Sequence, residues 1–554
     1  MTAQPGAVRN SAGRPTLVFA GTVAATMAVF RLLDIGIARL ARIPSESYTQ
    51  AFFLDDVALR AWRLASTRVP WWLASIAAAS LLLAFAADQR IAGGEGRRRC
   101  AALFTGWPSV DGGTALRWLV VAVSAVGAWA LSCYSRNQYF GPLHLADRVL
   151  VLALWVAIAW RPIFVLPFAL AAAAVAGQFV IPLGFISWTE MGVVLRFPVL
   201  FGAFWIVRSL SAQRRSDAFV FAWCCLLAAT YWTSGLGKLR VDWLSHPHVA
   251  LLLLGAHANG WLASVETATV ERLAEWVARF ARPLMLVTLL VECGALVLLW
   301  RRWTLVGFLL LAAAFHLGAF ALTGIFFWKW IVVDAFLLVY VVRGVRKVEL
   351  PIFTPGRFAL SVAAIVATPV WAPSENLTWF DTPLAYSLRF EATDTSGTSH
   401  PLPAGFFRPY TEAIVLGTFA GISPHPQLTR GMGVTDDRRL AELLVQARSA
   451  EEFFALERER GVPRTSAAAE AAFDDFVGRY AASARCAPQR EPALLRAISA
   501  PRHLWTFPLD AALPCGIALA SVEVFELTTW YDGRSLRLIR RRLLREIALP
   551  GRER

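Results

Sequence analysis

The sequence predicts a polytopic α-helical membrane protein with about eleven spans and a C-terminal extramembrane α+β domain. Three observations support this fold class: 57% of the residues are hydrophobic, the mean hydropathy is +0.51, and long apolar runs alternate with short segments that contain arginine. Soluble globular chains contain about 45–50% apolar residues, so this chain is too apolar for a water-soluble fold. We therefore place residues 15–373 in the membrane, a cytoplasmic tail at 1–14, and the extramembrane domain at 374–554.

The positive charge of the chain points to a membrane and not to nucleic acid. The net charge of +15 comes almost entirely from arginines, which stand at the ends of apolar runs. Cytoplasmic loops and anionic lipid headgroups favour that placement, whereas nucleic-acid binding needs a basic stripe with interleaved aromatic residues, which the sequence lacks. The cluster Arg97, Arg98 and Arg99 therefore predicts a cytoplasmic loop. With that loop inside, the amino terminus is cytoplasmic and the C-terminal domain lies outside a bacterial inner membrane, periplasmic or extracellular.

The predicted spans alternate in direction from the cytoplasmic amino terminus. A full span needs about 20 apolar residues, and a shorter one suffices where neighbouring helices shield it. The predicted spans are 17–37, 71–87, 116–134, 149–160, 163–183, 191–206, 219–236, 284–300, 305–326, 330–342 and 358–370.

Two further segments are predicted to associate with the membrane without crossing it. Residues 45–66 carry apolar side chains on one helical face and charged side chains on the other, which is typical of a helix lying at the interface. Residues 241–282 contain a short apolar run with polar flanks, which predicts a re-entrant or interfacial excursion.

The C-terminal region changes to a mixed polar and apolar composition. Alternation over 386–392, followed by Asp394-Thr395-Ser396-Gly397, predicts a strand entering a turn, and 517–529 predicts a second strand ending at Asp532-Gly533. Helical spacing appears at 438–456 and 466–483. The mixture indicates an α+β domain without fixing the strand order.

The cysteines and histidines give no metal signature. His246 and His248 alternate across Pro247 without a second close pair of ligands, so we predict no metal site. Cys486 and Cys515 stand together in the polar region, where an oxidising compartment would allow a disulfide worth about 3 to 4 kcal/mol. The alternative is two unpaired buried thiols.

The stretch 231–244 stands out because it leaves an apolar run through Gly235 and Gly237 and reaches Lys238. The sequence contains only three lysines, at 238, 329 and 347. An arginine stays protonated in proteins, whereas a partly desolvated lysine can lose its proton and act as a base. The alternative interpretation is a lysine that extends from a helix end toward the headgroups.

The membrane region also holds polar and ionisable residues, which usually face a bundle interior or a water-filled cavity. His316 stands near the middle of its span, and Glu292, at mid-span on the preceding segment, is in a position to pair with it. A satisfied core histidine and a buried ion pair are the alternatives for these side chains. No phosphate-binding glycine loop, nucleophile elbow or dinucleotide fingerprint occurs in the sequence. The polar set is Arg136, Asn137, His144, Asp147, Glu190, Lys238, Asp242, Glu292, His316, Lys329 and Asp334.

The run 231–243 resembles the signature of the vitamin K-dependent gamma-carboxylase and of the bacterial horizontally transferred transmembrane (HTTM) domain proteins. A second piece, Phe315-His316 followed by Ile325-Phe326-Phe327, resembles the histidine-bearing helix of that family. A looser segment at 136–154 and the later 379–381 and 407–410 are similar to other parts of bacterial members. The likeness covers about residues 15 to 375, with its specificity concentrated in the first two pieces.

This resemblance implies an activity and a cofactor. In the carboxylase, the lysine of the first motif deprotonates reduced vitamin K, whose oxygenation produces a base strong enough to abstract a glutamate proton before carbon dioxide adds. Carried over, that role falls on Lys238, with His316 as an orienting or stabilising group. A reduced quinone is the implied cofactor. The implied substrate-binding residues are Gly235, Gly237, Trp243, His144 and Asp242.

Two departures separate this chain from the carboxylase. Gly237 occupies the position of the first of the family's paired lysines, and the outer domain is far shorter than in the carboxylase, which puts peptide recognition in doubt. A second hypothesis is a non-enzymatic membrane scaffold for lipid binding, transport or assembly. Under that hypothesis, Lys238 pairs with Asp242 one helical turn on and is structural.

Overall fold

The computed structural model describes most of the chain. It covers residues 13–41, 103, 106–107, 113–132, 145–177, 188–210, 216–241, 243–245, 248–344, 352–373, 379–402, 404–407, 423–463, 465–483, 498–505 and 517–549.

Several predicted features lie outside these residues, so they stay predictions. They are the interfacial helix at 45–66, the span at 71–87, the polar residues Arg136, Asn137, His144, Asp242 and His246, and the cysteines Cys486 and Cys515.

The described part of the membrane region is helical. Its apolar runs, rich in alanine and leucine, bury their backbone polar groups in intrahelical hydrogen bonds, as a lipid environment requires. The helices are α1 (Gly13–Ala41), α2 (Gly113–Ser132), α3 (Leu145–Trp160), α4 (Val165–Gly177), α5 (Trp188–Leu210), α6 (Asp217–Arg240), α7 (His248–Ala258), α8 (Thr267–Arg279), α9 (Ala281–Gly294), α10 (Arg302–Thr323), α11 (Trp328–Val339), α12 (Pro355–Val366) and the single-turn α13 (Thr368–Trp371).

Five of the described helices are long and apolar enough to cross a membrane by length and composition, and a sixth candidate arises if α8 and α9 form one broken span. Every predicted span except 71–87 coincides with at least part of a described helix. The helical, membrane-compatible class is therefore confirmed, while the total of about eleven spans stays a prediction because the other helices are short. The five helices cover 17–38, 113–132, 192–210, 217–240 and 302–323.

The predicted excursion at 241–282 contains two helices, the short apolar α7 and the amphipathic α8. Helix α8 meets α9 at 67°, a bend found in broken spans and re-entrant loops. The chain therefore turns sharply at this point and does not continue in one straight helix.

Helix α6 forms the centre of the bundle. Every residue from Asp217 to Ala229 is buried, and the helix packs against α1, α5, α9 and α12. A helix that is apolar on all sides must be surrounded, which explains its central position. At its first residue, the carboxylate of Asp217 accepts a hydrogen bond of 3.0 Å from Arg357 Nη1. At its other end stands Lys238.

The C-terminal domain is a four-stranded antiparallel sheet in the order β3-β2-β5-β6, with helices packed on one face. The predicted strand 386–392 lies within β2, and the predicted strand 517–529 overlaps β5 from residue 519 onward. The first predicted turn is closed by Gly397 at a φ of 85°. A separate two-stranded sheet pairs β1 with β4. The elements are β1 (Phe380–Asp381), β2 (Leu384–Asp394), β3 (Ser399–Leu402), β4 (Val434–Thr435), α14 (Arg438–Gln446), α15 (Ala450–Arg460), α16 (Ala467–Ser483), β5 (Leu519–Tyr531) and β6 (Leu536–Ala548).

Two buried carboxylates bind arginines of strand β6. Glu526 on β5 is fully buried and accepts a hydrogen bond from Arg542 Nη2 at 2.5 Å. Glu457 on α15 accepts two hydrogen bonds of 2.6 Å from Arg540 and a third, at 2.9 Å, from the hydroxyl of Tyr386. Because both arginines stand on β6, these bonds hold the edge strand to the rest of the domain.

The C-terminal domain contacts the end of the bundle where Lys238 lies. His248 Nδ1, at the start of α7, is 3.3 Å from Asp381 Oδ2 on β1. The segment 498–505, here called the strap, crosses the loop between α10 and α11, where Trp505 N donates to Gly324 O at 2.9 Å. Gly324 has a φ of 73°, and a Cβ there would lie 2.8 Å from Trp505 O, so this crossing requires glycine. Which side of the membrane this end faces stays a prediction.

We expect acid to weaken the C-terminal domain through Glu457. Burial alone raises the pKa of Glu457, but the hydrogen bonds and charge of Arg540 outweigh it and hold this pKa below its ordinary 4.5. A depressed folded-state pKa stabilises the fold above the unfolded-state value, and the contribution is lost as pH falls through the folded-state value. Thermal unfolding of the full chain, followed by tryptophan fluorescence, should therefore show a melting temperature that drops below about pH 4.5.

Glu457→Gln should lower the melting temperature at pH 7 and flatten its dependence on acid. The matched control is Glu442→Gln. Glu442 pairs with Arg438 at 2.9 Å on the exposed surface, so loss of this pair should change the melting temperature little. An acid response of equal size in all three proteins would contradict the assignment.

Candidate functional site

One face of α6 carries the polar residues that make the candidate site. Tyr231, Gly235 and Lys238 follow each other at helical spacing, so they share a face over about two turns. That face is covered by α9 near Gly235 and by α10 and α11 near Tyr231. The site therefore consists of two polar pairs, each with one member on α6 and the other on a neighbouring helix.

The first pair joins Lys238 to Glu292 of α9. Lys238 Nζ donates a hydrogen bond of 2.7 Å to Glu292 Oε1, and the two side chains are 15% and 5% exposed. The other carboxylate oxygen, Glu292 Oε2, is buried and has no hydrogen-bond partner within the described ranges. A short, nearly buried lysine–carboxylate pair is the main electrostatic feature of this end of the bundle.

Gly235 makes this pairing possible. A Cβ on Gly235 would lie 2.9 Å from both Glu292 Cβ and Cys293 Sγ, and 3.2 Å from the backbone nitrogen of Cys293. Only a residue without a side chain lets α6 and α9 approach this closely. Because Lys238 follows one turn later on the same face, the close approach brings Glu292 within its reach.

Aromatic contacts connect Lys238 to the C-terminal domain. Lys238 Nζ lies 5.5 Å from the ring centroid of Trp243, a cation–π distance. Trp243 stacks on His248, with centroids 5.6 Å apart and planes at 15°. His248 in turn contacts Asp381 of β1. The lysine thus lies beside a tryptophan ring that contacts the C-terminal domain through His248.

The second pair joins Tyr231 to His316 of α10. The phenolic oxygen and His316 Nε2 are 2.8 Å apart, and both side chains are buried. Phe308 and Trp330 pack edge-on against Tyr231, with centroids 5.1 and 5.8 Å away. Phe327 lies 5.0 Å from the imidazole. These rings leave a polar pair enclosed in an apolar shell.

The structure places the predicted site residues as follows. Lys238, Gly235 and Trp243 come together, whereas His316 lies against Tyr231 and has no hydrogen bond to Lys238 among the described residues. The expected pairing of Glu292 with His316 is wrong, because Glu292 bonds to Lys238 across the close contact at Gly235. Helical spacing puts Gly237 on the side of α6 away from Gly235. His144 and Asp242 lie outside the described residues.

Sequence reasoning missed Tyr231 as a partner and His503 as a neighbour. Tyr231 stands seven residues before Lys238. This spacing of about two helical turns puts both residues on one face and could have indicated that Tyr231 belongs to the site. His503 comes from the strap, and its ring lies 5.2 Å from Phe327. No local pattern predicts that contact, because the strap is 176 residues away from Phe327 along the chain.

Among the described residues, no group of three or more histidine, cysteine, aspartate or glutamate side chains is arranged to hold a metal ion. The same residues include three free cysteines, of which Cys224 and Cys225 are buried in α6. The chemistry available at the site is therefore that of an amine, a carboxylate, a phenol and an imidazole.

Comparison with known proteins gives no independent assignment: no family model, no curated protein and no solved structure matches this chain.

We expect Gly235→Ala to destabilise the protein. The added methyl group meets Glu292 and Cys293 at 2.9 Å, so α6 and α9 must separate. Overpacking of this kind costs about 1–3 kcal/mol. The matched control is Gly318→Ala in α10, where nothing lies within 4 Å of the added carbon. Thermal unfolding in detergent should show a lower melting temperature for the first variant only, and equal values would contradict the close contact.

Proposed function

We propose that this protein carries out quinol-linked oxygenation or carboxylation chemistry in the membrane, with Lys238 as the base. The observation that supports it is the position of Lys238: 15% exposed, 2.7 Å from a buried carboxylate, and next to the face of a tryptophan. The resemblance of 231–243 to the gamma-carboxylase and HTTM motif assigns the same role to this lysine. The two arguments are independent of each other.

A base must be able to release and accept a proton at the site. In the pair of Lys238 with Glu292, a proton can pass over 2.7 Å from the ammonium to the carboxylate, which leaves a neutral amine and a neutral acid. The proposed transfer needs a short contact between the two groups and little water around them, and both side chains are mostly buried. An arginine in place of Lys238 would keep its proton.

The residues present suit a reduced quinone. When bound, a reduced quinone supplies an acidic hydroxyl and the electrons for oxygenation. Trp243 offers an aromatic surface beside the amine, and Glu292 Oε2 is a buried acceptor with no partner in the described part of the chain. These two residues and Lys238 would hold the ring and receive its hydroxyl group. Gly237 and the short outer domain favour a quinol step without a peptide substrate.

The second candidate function is a non-enzymatic scaffold for lipid binding, transport or assembly. One observation favours it: Lys238 already has a strong partner that joins α6 to α9. The partner is Glu292, whereas the sequence suggested Asp242. Under this hypothesis the pair stabilises the bundle, and any residue that keeps the positive charge would serve.

Quinone analysis of variants separates the two candidates. The protein is purified in detergent, the bound lipid is extracted, and quinone and its oxidised products are measured by mass spectrometry. We expect the parent protein to carry a reduced quinone together with its oxidation products, Lys238→Arg to bind the reduced quinone without oxidising it, and Lys238→Ala to lose binding or oxidation. Arg240→Ala is the control, because Arg240 is exposed on the same helix end.

If Lys238→Arg oxidises the reduced quinone as well as the parent does, or if neither the parent nor any variant carries a quinone in either redox state, the catalytic proposal is wrong and the scaffold is favoured. The extraction also reports whether another lipid takes the quinone's place.

A further inference from the structure

A second buried cluster lies two helical turns along α6 from Lys238. Apart from the orienting or stabilising role that the family resemblance gives His316, the proposed quinol chemistry does not use it. Three helices contribute to it: Tyr231 from α6, His316 from α10 and Asp334 from α11. Tyr231 bonds to His316 at 2.8 Å and lies close enough to Asp334 to interact with its carboxyl group. The tyrosine therefore stands between an imidazole and a carboxyl group.

Asp334 is 1% exposed, and neither of its carboxylate oxygens accepts a hydrogen bond of ordinary geometry from a described residue. Lys238 and Lys329 are both poorly placed to compensate a negative charge on Asp334. Lys238 is bonded to Glu292, and Lys329 stands five residues before Asp334, on another face of α11. An ionised carboxylate in an apolar interior without a cation is costly, whereas a carboxylic acid is tolerated.

His316 is in a comparable position. Its Nε2 contacts the Tyr231 hydroxyl, while its Nδ1 has no hydrogen-bond partner in the described part of the bundle. The rings of Phe308, Phe327 and Trp330 surround the pair. A polar cluster enclosed in this way indicates a function. In a purely structural core, these polar groups would be fully hydrogen-bonded or replaced by apolar residues.

We propose that Tyr231, His316 and Asp334 together bind one exchangeable proton inside the bundle, and that Tyr231 passes it between the other two. In one direction, the Asp334 O–H bond breaks and its proton moves to the phenolic oxygen, while the phenolic proton moves to His316 Nε2. Asp334 becomes a carboxylate, His316 becomes an imidazolium, and Tyr231 is unchanged. The reverse step restores the neutral groups, so no electron is gained or lost.

The cluster is electrostatically connected to the first pair, because Glu292 is close enough to Tyr231 to interact with it. A proton held at the cluster thus lies beside the Lys238–Glu292 pair. The strap approaches from the other side, where His503 is near both His316 and Lys329. Among the described residues, the other titratable groups that interact with members of the cluster are Glu292 on α9, next to Tyr231, and His503 on the strap, next to His316.

Infrared spectroscopy of the full-length protein in lipid tests this proposal without a quinone or an activity assay. In protein labelled with carbon-13 at the aspartate carboxyl, we expect an isotope-shifted carboxylic-acid band at neutral pH. Asp334→Asn should lose that band. The matched control is Asp217→Asn: Asp217 is also buried in the bundle, but it is paired with Arg357 at 3.0 Å and should contribute no acid band.

The relay is tested by exchange. In heavy water the acid band should shift as its proton is replaced, and Tyr231→Phe, which keeps the ring and removes the hydroxyl, should slow that shift by about tenfold. The labelled parent protein answers the first question even if Asp334→Asn does not fold. Absence of an acid band from the parent, its persistence in a folded Asp334→Asn, or unchanged exchange in Tyr231→Phe would each overturn the proposal.

Discussion

The close contact of α6 with α9 at Gly235 is the constraint on which the candidate site depends. A helix buried on all sides leaves no room for a charged side chain unless a partner reaches it, and Lys238 stands at the end of such a helix. The missing side chain at Gly235 lets α9 approach until Glu292 meets the lysine at 2.7 Å. Among the described residues, Glu292 Oε2 has no hydrogen-bond partner. The contact that pairs the amine with a carboxylate therefore also leaves a hydrogen-bond acceptor beside the amine.

The C-terminal domain completes the geometry around this contact. Trp243 covers the amine and is itself stacked on His248, which contacts Asp381 in the first strand after the membrane region. On the other side of the bundle end, the strap bonds to the loop between α10 and α11 and brings His503 next to Phe327. A movement of the C-terminal domain would therefore change the surroundings of both polar pairs. The domain is part of the site's architecture, even though its own sheet and helices fold around a separate core.

The sequence predicted the helical class, the approximate positions of most helices and two of the strands, because these follow from local periodicity and apolar length. It also predicted that Lys238, Gly235 and Trp243 belong together, since they lie within three turns of chain. It failed for Glu292, which was assigned to His316, because the depth of a residue along a span does not give the rotation of its helix. The contact of His503 with Phe327 was out of reach for a different reason: it depends on how a distant segment folds back.

The type of basic residue that pairs with each buried carboxylate in the bundle supports a catalytic interpretation of the site. Among the described residues, Asp217 pairs with Arg357 and Asp34 with Arg196, so arginine is the partner where an aspartate has to be neutralised and held. Arginine makes the stronger and more rigid pair, and nearly every basic residue in the chain is arginine. At Glu292 the chain instead has lysine, the residue whose proton can leave. A pair selected only for stability would be expected to follow the pattern of the other two. This lysine lies next to an unsatisfied oxygen of Glu292 and to the ring of Trp243. These are the surroundings in which a transferable proton could act on a bound ligand.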